Sequence, residues 1–254
     1  MTSFVVVIPA RYASTRFPGK PLAELDGKPM VAHVVDRARE SGAAEVVVAT
    51  DDSRIAEAVS ECECAVAMTR ADHATGTDRI AEVVTQRHWN DDVIVVNAQG
   101  DEPLLPPALI RAVADTLDKH PDAAIATACH PIGSTAEFLD PNAVKVVLDT
   151  NGCALYFSRA PIPWPRDDFA SDTSRLPDNL PAYRHIGIYA YRCAFLREYS
   201  ALEPAAIERF ESLEQLRALA NGYHIAVHVA EQAPPPGIDT PVDLDRVRGK
   251  TAPL

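Results

Sequence analysis

Apolar runs alternate with helix-like segments along the first half of the chain. Residues 4–8 form an unbroken apolar run, which predicts a buried strand. Residues 29–41 place apolar side chains at helical spacing, begin with proline and end before Gly42. Strands are predicted at 4–8, 45–49, 65–68 and 93–97, and helices at 29–41, 53–61 and 78–86. This order predicts an α/β fold with a mostly parallel, doubly wound Rossmann-like sheet, covered by helices on both faces.

The second half of the chain changes character. Two β-rich runs, 143–148 and 154–158, flank Asn151-Gly152, a dipeptide that favours a hairpin turn. A proline-rich stretch at 161–182 predicts a long surface loop. Further helices are predicted at 106–119, 207–220 and 241–248, and strands at 123–129, 185–191 and 225–229. No linker divides the 254 residues, so we expect a single domain, with a hairpin-containing subregion at roughly 130–200.

Composition and charge narrow the class of protein. No run reaches the about 18 apolar residues of a membrane span, and the first apolar run is too short for a signal peptide. We therefore expect no membrane association and a cytoplasmic protein. A net charge of −12 argues against nucleic acid as a partner, because nucleic-acid binders carry a basic face.

The cysteines suggest reduced thiols. Their number is five, which is odd, and no export signal precedes them. Cys62 and Cys64 have the spacing of half a metal site, but no second Cys or His pair lies at zinc-ligand spacing. The plainer interpretation is a helix end with two small, partly buried side chains.

A cluster of cations follows the first predicted strand. Arg11, Arg16 and Lys20 repel one another unless an anion lies among them, and the loop after a buried strand is where α/β proteins bind phosphate. The loop is not a P-loop, because Ser14 replaces its first glycine and Pro21 follows the lysine. The alternatives are a phosphate site built from side-chain cations and a basic loop that only faces water.

Acidic residues occupy two positions that suit a metal ion. Asp101 and Glu102 follow the apolar run at 93–97, and Asp239 precedes the last predicted helix. Ligands of open α/β sheets collect at the carboxyl ends of the strands, and Mg²⁺ takes few protein carboxylates beside phosphate and water. The alternatives are a strand-end turn for Asp101 and a plain helix cap for Asp239.

Eight motifs, in this order along nearly the whole chain, resemble the 3-deoxy-D-manno-octulosonate (Kdo) cytidylyltransferase family. They are PARYASTRFPGKPL, TRADHATGTDR, NAQGDEP, PNAVKVVLD, LYFSRAPIPW, RHIGIYAY, LEQLR and IDTPVDL. Such enzymes join CTP to the acid sugar Kdo: the anomeric hydroxyl attacks the α-phosphorus, and pyrophosphate leaves. The resemblance implies a Mg²⁺ cofactor, a homodimer built by the hairpin region, a sugar-binding role for 130–200, and a place in lipopolysaccharide synthesis.

The resemblance also assigns roles to individual residues. The nucleotide-binding residues that it implies are Arg11, Ala13, Ser14, Lys20, Arg70, Thr75, Gly76 and Thr77. Those that it implies for Kdo are Arg16, Gln99, Arg159, His185, Tyr189, Glu214 and Gln215. Asp101 and Asp239 would hold Mg²⁺, and together with Lys20 they would form the catalytic set.

Three other functions remain open from the sequence. A cytidylyltransferase for another acid sugar, such as a sialic acid, uses the same chemistry. A glycosyltransferase on a similar fold usually carries Asp-x-Asp, where this chain has Gly100-Asp101-Glu102. A nucleotide sensor without activity needs the cationic loop but not Asp101 and Asp239 together.

Overall fold

The fold is described from a computed structural model, which covers residues 2–13, 17–73 and 75–248. The strands are β1 (Phe4–Ala10), β2 (Glu24–Leu25), β3 (Lys28–Pro29), β4 (Glu45–Thr50), β5 (Ala65–Met68), β6 (Ile94–Asn97), β7 (Ala123–Pro131), β8 (Lys145–Leu148), β9 (Ala154–Ser158), β10 (Tyr183–Arg192) and β11 (His224–Val229). The helices are α1 (Met30–Glu40), α2 (Ser53–Ala58), α3 (Gly76–Arg87), α4 (Pro107–Lys119), α5 (Thr135–Leu139), α6 (Arg166–Phe169), α7 (Cys193–Tyr199), α8 (Ala206–Glu211), α9 (Leu216–Ala220) and α10 (Pro241–Val247). A short 3₁₀ turn spans Lys20–Leu22.

One sheet runs through both halves of the chain. Its strand order is β11-β7-β10-β6-β1-β4-β5, with β8 beside the start of β10 and β9 beyond β8. Neighbouring strands along this order are parallel except at β10, which is antiparallel to both β6 and β7. The mostly parallel α/β fold expected from the sequence is confirmed, and the predicted hairpin is the antiparallel pair β8–β9.

The core lies on both faces of this sheet, which explains the continuous apolar run of β1. Val6 and Ile8 pack on one face with α1 and α4, and Val5 and Val7 pack on the other with α3 and α7. A parallel strand covered by helices on both sides has no solvent-facing position, so alternation disappears. Within the described ranges, no helix combines the length and the apolar character needed to cross a bilayer.

The single helix predicted over 207–220 is wrong. The chain forms α8, then breaks at Ser212, whose φ of 52° lies in the left-handed region, and resumes as α9. The break turns Leu213 into the core and leaves Gln215 buried. Tertiary contacts override the helical pattern here, because local propensity amounts to less than about 1 kcal/mol per residue.

Three further helices, α5, α6 and α7, were not predicted. Helix α7 follows β10 directly, and its Phe195 and Leu196 complete the core face shared with α3. Within the predicted loop at 161–182, α6 places Phe169 against Phe138, with ring centroids 6.1 Å apart. This small apolar cluster holds the proline-rich segment against the sheet.

Candidate active site

The site lies at the carboxyl ends of β1 and β6. After β1 the chain turns back at Gly19, whose φ of 71° favours glycine and whose amide donates to the Tyr12 carbonyl at 3.0 Å. The 3₁₀ turn that follows buries Pro21 and directs the side chain of Lys20 toward the sheet rim.

Lys20 contacts both Asp101 and Asp239, two acids that are far apart in the sequence. Its Nζ lies 2.6 Å from Asp101 Oδ2 and 3.1 Å from Asp239 Oδ1. The lysine side chain is only 12% exposed, so its charge is poorly hydrated and depends on these two partners. Two carboxylates therefore converge on one cationic atom at the rim of the sheet.

Backbone packing determines where the two acids lie. A Cβ on Gly100 would stand 3.1 Å from the Pro9 carbonyl, so glycine allows the segment after β6 to pass close to the end of β1. The Asp101 carbonyl accepts a hydrogen bond from Ile238 N at 2.9 Å, which ties the two acidic segments together. Thr240, not Asp239, caps α10, so the plain-cap interpretation of Asp239 does not apply.

Glu102, next to Asp101, has a different environment. Burial, and secondly the charge of Asp101, raises the pKa of Glu102 to about 7. Its Cγ lies 3.4 Å from the position of a Cβ on Gly237, so the carboxyl packs under the segment that leads to Asp239. The Glu102 carboxyl thus packs against the backbone near Gly237, whereas the Asp101 carboxyl contacts Lys20.

The chemistry of the donor set fits a hard divalent cation. No group of three or more His, Cys, Asp or Glu in the described part of the chain could form a metal site from protein ligands alone. Mg²⁺ needs only one or two carboxylates when phosphate and water supply its other ligands. Asp101 and Asp239, which already converge on a positive charge, meet that requirement.

A polar cavity of about 380 Å³ opens beside these groups. Its lining residues include Arg11, Lys20, His73, Thr75, Gly76, Arg79, Gln99, Gly100, Asp101 and Glu214. Helix α3 begins at its wall, where Thr75 and Asp78 form a capping box. A helix N-terminus together with three cations, Arg11, Lys20 and Arg79, favours an anionic ligand.

A second cavity, of about 150 Å³, adjoins the first and shares Gly76, Gln99 and Glu214 with it. The rest of its wall consists of three tyrosines, two amide side chains and three smaller or aliphatic residues: Tyr189, Tyr191, Tyr199, Asn97, Gln215, Thr77, Ile125 and Ala218. The Tyr199 hydroxyl donates to Glu214 Oε1 at 2.6 Å, which holds this carboxylate at the junction of the cavities.

Two buried polar atoms of the second cavity's lining residues lack a hydrogen-bond partner among the described residues. They are Asn97 Oδ1, an acceptor, and Gln215 Nε2, a donor. The two side chains are 2% and 8% exposed. Asn97 was not predicted as a site residue, although it is a polar residue that ends the apolar run VIVVN at the carboxyl end of a central strand.

The structure brings together only part of the predicted set. Arg11, Lys20, Thr75, Gly76, Thr77, Gln99, Asp101, Tyr189, Glu214 and Gln215 line one or both cavities. Arg159 lies outside both linings, where its Nε donates to the Glu211 carbonyl at 2.6 Å and its Nη1 to the Pro141 carbonyl at 3.1 Å.

The remaining predicted residues lie elsewhere. His185 lies outside both linings but packs against Tyr189, with ring centroids 5.5 Å apart. Arg70 is exposed and pairs with Asp72, and Ala13 is exposed. Ser14 and Arg16 fall outside the described residues.

Comparison with known proteins identifies the family. A family model described as Cytidylyltransferase matches residues 5–225. The chain is 55% identical to a 3-deoxy-manno-octulosonate cytidylyltransferase of Nitrosococcus oceani, over 97% of this chain and 95% of that protein. It is 56% identical to one of Hahella chejuensis, over 99% of both.

Solved structures of cytidylyltransferases have the same fold as this chain. A CMP:2-keto-3-deoxy-manno-octonic acid synthetase complexed with CTP matches with a TM-score of 0.88 and 44% identity, over 98% of both chains. A cytidylyltransferase from Leptospira borgpetersenii, 16% identical, matches with a TM-score of 0.62 over 98% of this chain and 85% of that one, which supports the fold alone. The chain belongs to the 3-deoxy-manno-octulosonate cytidylyltransferase family.

Proposed function

We propose that this protein transfers CMP from CTP to the anomeric hydroxyl of Kdo, giving CMP-Kdo and pyrophosphate. The observation that carries the proposal is the Lys20–Asp101–Asp239 cluster beside two joined cavities, one lined by cations and one by tyrosines and amides. The anomeric oxygen forms a bond to the α-phosphorus, and the bond from the α-phosphorus to the oxygen shared with the β-phosphorus breaks. Pyrophosphate leaves with that oxygen, and the proton of the anomeric hydroxyl passes to water.

The larger cavity suits the triphosphate of CTP. Phosphoryl transfer asks the protein mainly for positioning and for neutralisation of charge. Arg11 and Lys20 provide two of its cations, and Thr75 and Gly76, at the start of α3, line the same cavity. These groups bind and orient the nucleotide with its α-phosphorus near the junction with the second cavity.

We assign Asp101 and Asp239 as the residues that would hold Mg²⁺. When bound, this ion neutralises phosphate oxygens and lowers the pKa of a coordinated hydroxyl. The side chains converge through loops anchored by the Ile238 N to Asp101 O hydrogen bond, so they form a preorganised pair. Lys20, between them, contributes its fixed positive charge on the phosphate side of the site.

The smaller cavity suits a polyhydroxylated sugar. Each unpartnered buried polar atom costs about 1–3 kcal/mol, and a hydroxyl group can donate to Asn97 Oδ1 and accept from Gln215 Nε2. Burial raises the pKa of Tyr189 well above its ordinary value, so its phenol stays protonated as a further donor. For the carboxylate of Kdo we propose Arg159, which the resemblance implies. Its guanidinium lies outside both linings and donates to the Glu211 and Pro141 carbonyls, so it would have to leave them to form a bidentate pair.

We also propose that the protein acts as a cytoplasmic homodimer that supplies activated Kdo for lipopolysaccharide synthesis. Strand β9 pairs only with β8 among the described strands, and its Leu155 is 63% exposed. An edge strand with an exposed leucine favours contact with another chain. The hairpin is therefore the surface at which a second copy would bind.

The test is pyrophosphate release from CTP with Kdo in the presence of Mg²⁺, with the product identified by mass spectrometry. We expect CMP-Kdo to form, and expect Kdo to win in direct competition with a sialic acid. Preferential use of the sialic acid, or cleavage of a CMP-sugar without CTP consumption, would refute the proposal.

Asp101→Asn tests the assigned metal pair within this assay. Turnover should fall at least about 100-fold, because a lost ligand removes charge neutralisation from the transition state. Binding of CTP, measured by calorimetry, should change little. Asp36→Asn, which removes a carboxylate paired with Lys28 away from the site, is the matched control. Normal turnover of Asp101→Asn in Mg²⁺ would remove Asp101 from the metal assignment.

A further inference from the structure

A bulge in β10 lies opposite a fully buried hydroxyl group. Ile186 pairs with Ala128 of β7, whereas Tyr189 pairs with Thr127, so Gly187 and Ile188 are extra residues in the ladder. Thr127 is 0% exposed. The bulge separates His185 from Tyr189, two residues whose aromatic rings pack together beside the smaller cavity.

The Thr127 hydroxyl has three polar neighbours. Its Oγ1 lies 2.7 Å from the Ile188 carbonyl oxygen, 3.2 Å from the Ile186 carbonyl oxygen and 2.9 Å from His185 Nε2. Both carbonyls can only accept hydrogen bonds, and the hydroxyl has a single proton. An oxygen–oxygen distance of 2.7 Å requires that proton to lie between Thr127 and Ile188, because otherwise two lone pairs would face each other.

This geometry determines the protonation of the imidazole ring. Since the Thr127 proton is used by the Ile188 carbonyl, the hydroxyl can only accept from His185, and Nε2 must carry the hydrogen. Burial lowers the pKa of His185 to about 3, so the ring is neutral and its other nitrogen, Nδ1, keeps a lone pair. Among the described residues no hydrogen bond to Nδ1 is present.

The ring cannot easily leave this orientation. Phe157 packs edge-on against it with centroids 5.0 Å apart, and Tyr189 lies 5.5 Å away on another side. Phe157 is completely buried. Rotation of the imidazole would therefore displace core side chains as well as break the bond to Thr127.

We infer that Thr127 is a positioning residue: it holds His185 in the Nε2–H tautomer and in the orientation in which its ring supports Tyr189, a wall residue of the smaller cavity. The inference rests on the proposed function in one respect, the binding of the sugar in the smaller cavity. The tautomer itself follows from the hydrogen bonds of Thr127 and holds whatever the substrate is.

The experiment combines NMR and kinetics on the full chain. Nitrogen-15 spectra of the histidine rings, assigned with His185→Gln, should show His185 as the Nε2–H tautomer in the wild type and in Thr127→Ser. Thr127→Val should lose this single-tautomer pattern. Its KM for Kdo should rise about tenfold, because the lost Thr127–His185 hydrogen bond loosens the ring that supports the Tyr189 wall, while the KM for CTP stays unchanged. Thr127→Ser should keep both constants, because it retains the hydroxyl.

The outcomes separate this inference from the proposed function. An Nδ1–H tautomer in the wild type would overturn the inference, as would a Thr127→Val variant with the wild-type spectrum and KM for Kdo. If valine prevents folding, Thr127→Ala provides the same two readouts. A wild-type chain that shows the Nε2–H tautomer but does not turn over Kdo would contradict the proposed function and leave the tautomer assignment supported.

Discussion

Lys20 is the residue on which the site depends. One ammonium group contacts two carboxylates, and little of its surface reaches water. Without this charge, Asp101 and Asp239 would repel each other in a partly buried setting, and phosphate would lose a cation. In the proposed function the positive charge of Lys20 would thus serve both the resting site and the nucleotide.

Replacing Lys20 by methionine tests this double role. We expect the KM for CTP to rise at least about tenfold, more than the KM for Kdo, since a charge-assisted hydrogen bond contributes about 1.5–3 kcal/mol. Steady-state kinetics with each substrate varied in turn is the measurement. Lys28→Met removes another lysine that is paired with an aspartate, Asp36, and should leave both constants unchanged. An effect confined to Kdo would contradict the assignment.

His185 makes the stability of the protein depend on pH in acid. Burial lowers its pKa from 6.5 to about 3 in the folded state, so between these values the unfolded chain binds a proton that the folded chain does not. The contribution of His185 to the free energy of unfolding should therefore be constant above about pH 7. It should fall as the pH drops below 6.5. Above that window the ring is neutral in both states.

Urea denaturation at pH 7.5 and pH 5.5 measures this effect, at values where most carboxylates stay ionised. The wild type should lose more stability between the two pH values than His185→Gln does. His228, whose pKa is also lowered by burial, contributes to both proteins and cancels in the comparison. Equal losses in the two proteins would mean that His185 is protonated in the folded state.

At the scale of elements, the break between α8 and α9 positions Glu214 and Gln215, which line the smaller cavity. Ser212 in the left-handed conformation turns the chain so that Glu214 reaches Tyr199 and Gln215 becomes buried. The same turn presents the Glu211 carbonyl to Arg159, while the Glu211 carboxylate accepts from Ser158 Oγ at 2.6 Å. One irregular residue therefore organises contacts to two elements.

Substitution at Ser212 tests the importance of this break. Ser212→Val should destabilise the protein by about 1–3 kcal/mol, because a β-branched residue at positive φ is strained. Ser212→Gly should be neutral or stabilising, since glycine adopts this conformation freely. Urea denaturation gives the stability, and the KM for Kdo should rise only in the valine variant. Equal stability of the two variants would show that the left-handed turn is not maintained in solution.

At the scale of the whole molecule, the sheet has edges of different character. At one end, β5 carries Met68, which is 50% exposed, and beyond β8 the hairpin strand β9 carries Leu155. The proposed homodimer uses the β9 edge. The active-site rim, formed at the carboxyl ends of β1 and β6, belongs to a separate part of the sheet.

Charge substitutions at these two positions test the assembly. Leu155→Lys should convert the dimer to a monomer, because a buried lysine in an interface core costs desolvation of its charge. Met68→Lys is the matched control and should remain dimeric. Sedimentation velocity at micromolar concentration is the measurement. A monomeric wild type, or a dimeric Leu155→Lys, would contradict the assignment of the hairpin.

Local patterns alone determined most of the elements and the rim of the sheet. The apolar runs of β1 and β6 mark buried strands, and acids or cations placed directly after them must lie where parallel strands end. The hairpin turn at Gly152, with φ of 79°, is likewise predicted by the dipeptide Asn151-Gly152. Each of these features depends on neighbours within a few residues, so no tertiary contact is needed to foresee it.

Only the tertiary structure decided how the site is completed. Contacts between segments far apart in the chain produce the bulge opposite Thr127, the break at Ser212 and the unpartnered Oδ1 atom of Asn97. The meeting of Asp101 and Asp239 at one lysine depends on how α10 packs against Leu25 and Met30 and on the hydrogen bond from Ile238 N to the Asp101 carbonyl, which no local pattern encodes. Packing energy from many buried side chains exceeds local propensity at such points, so the sequence names the groups and the fold determines which of them meet.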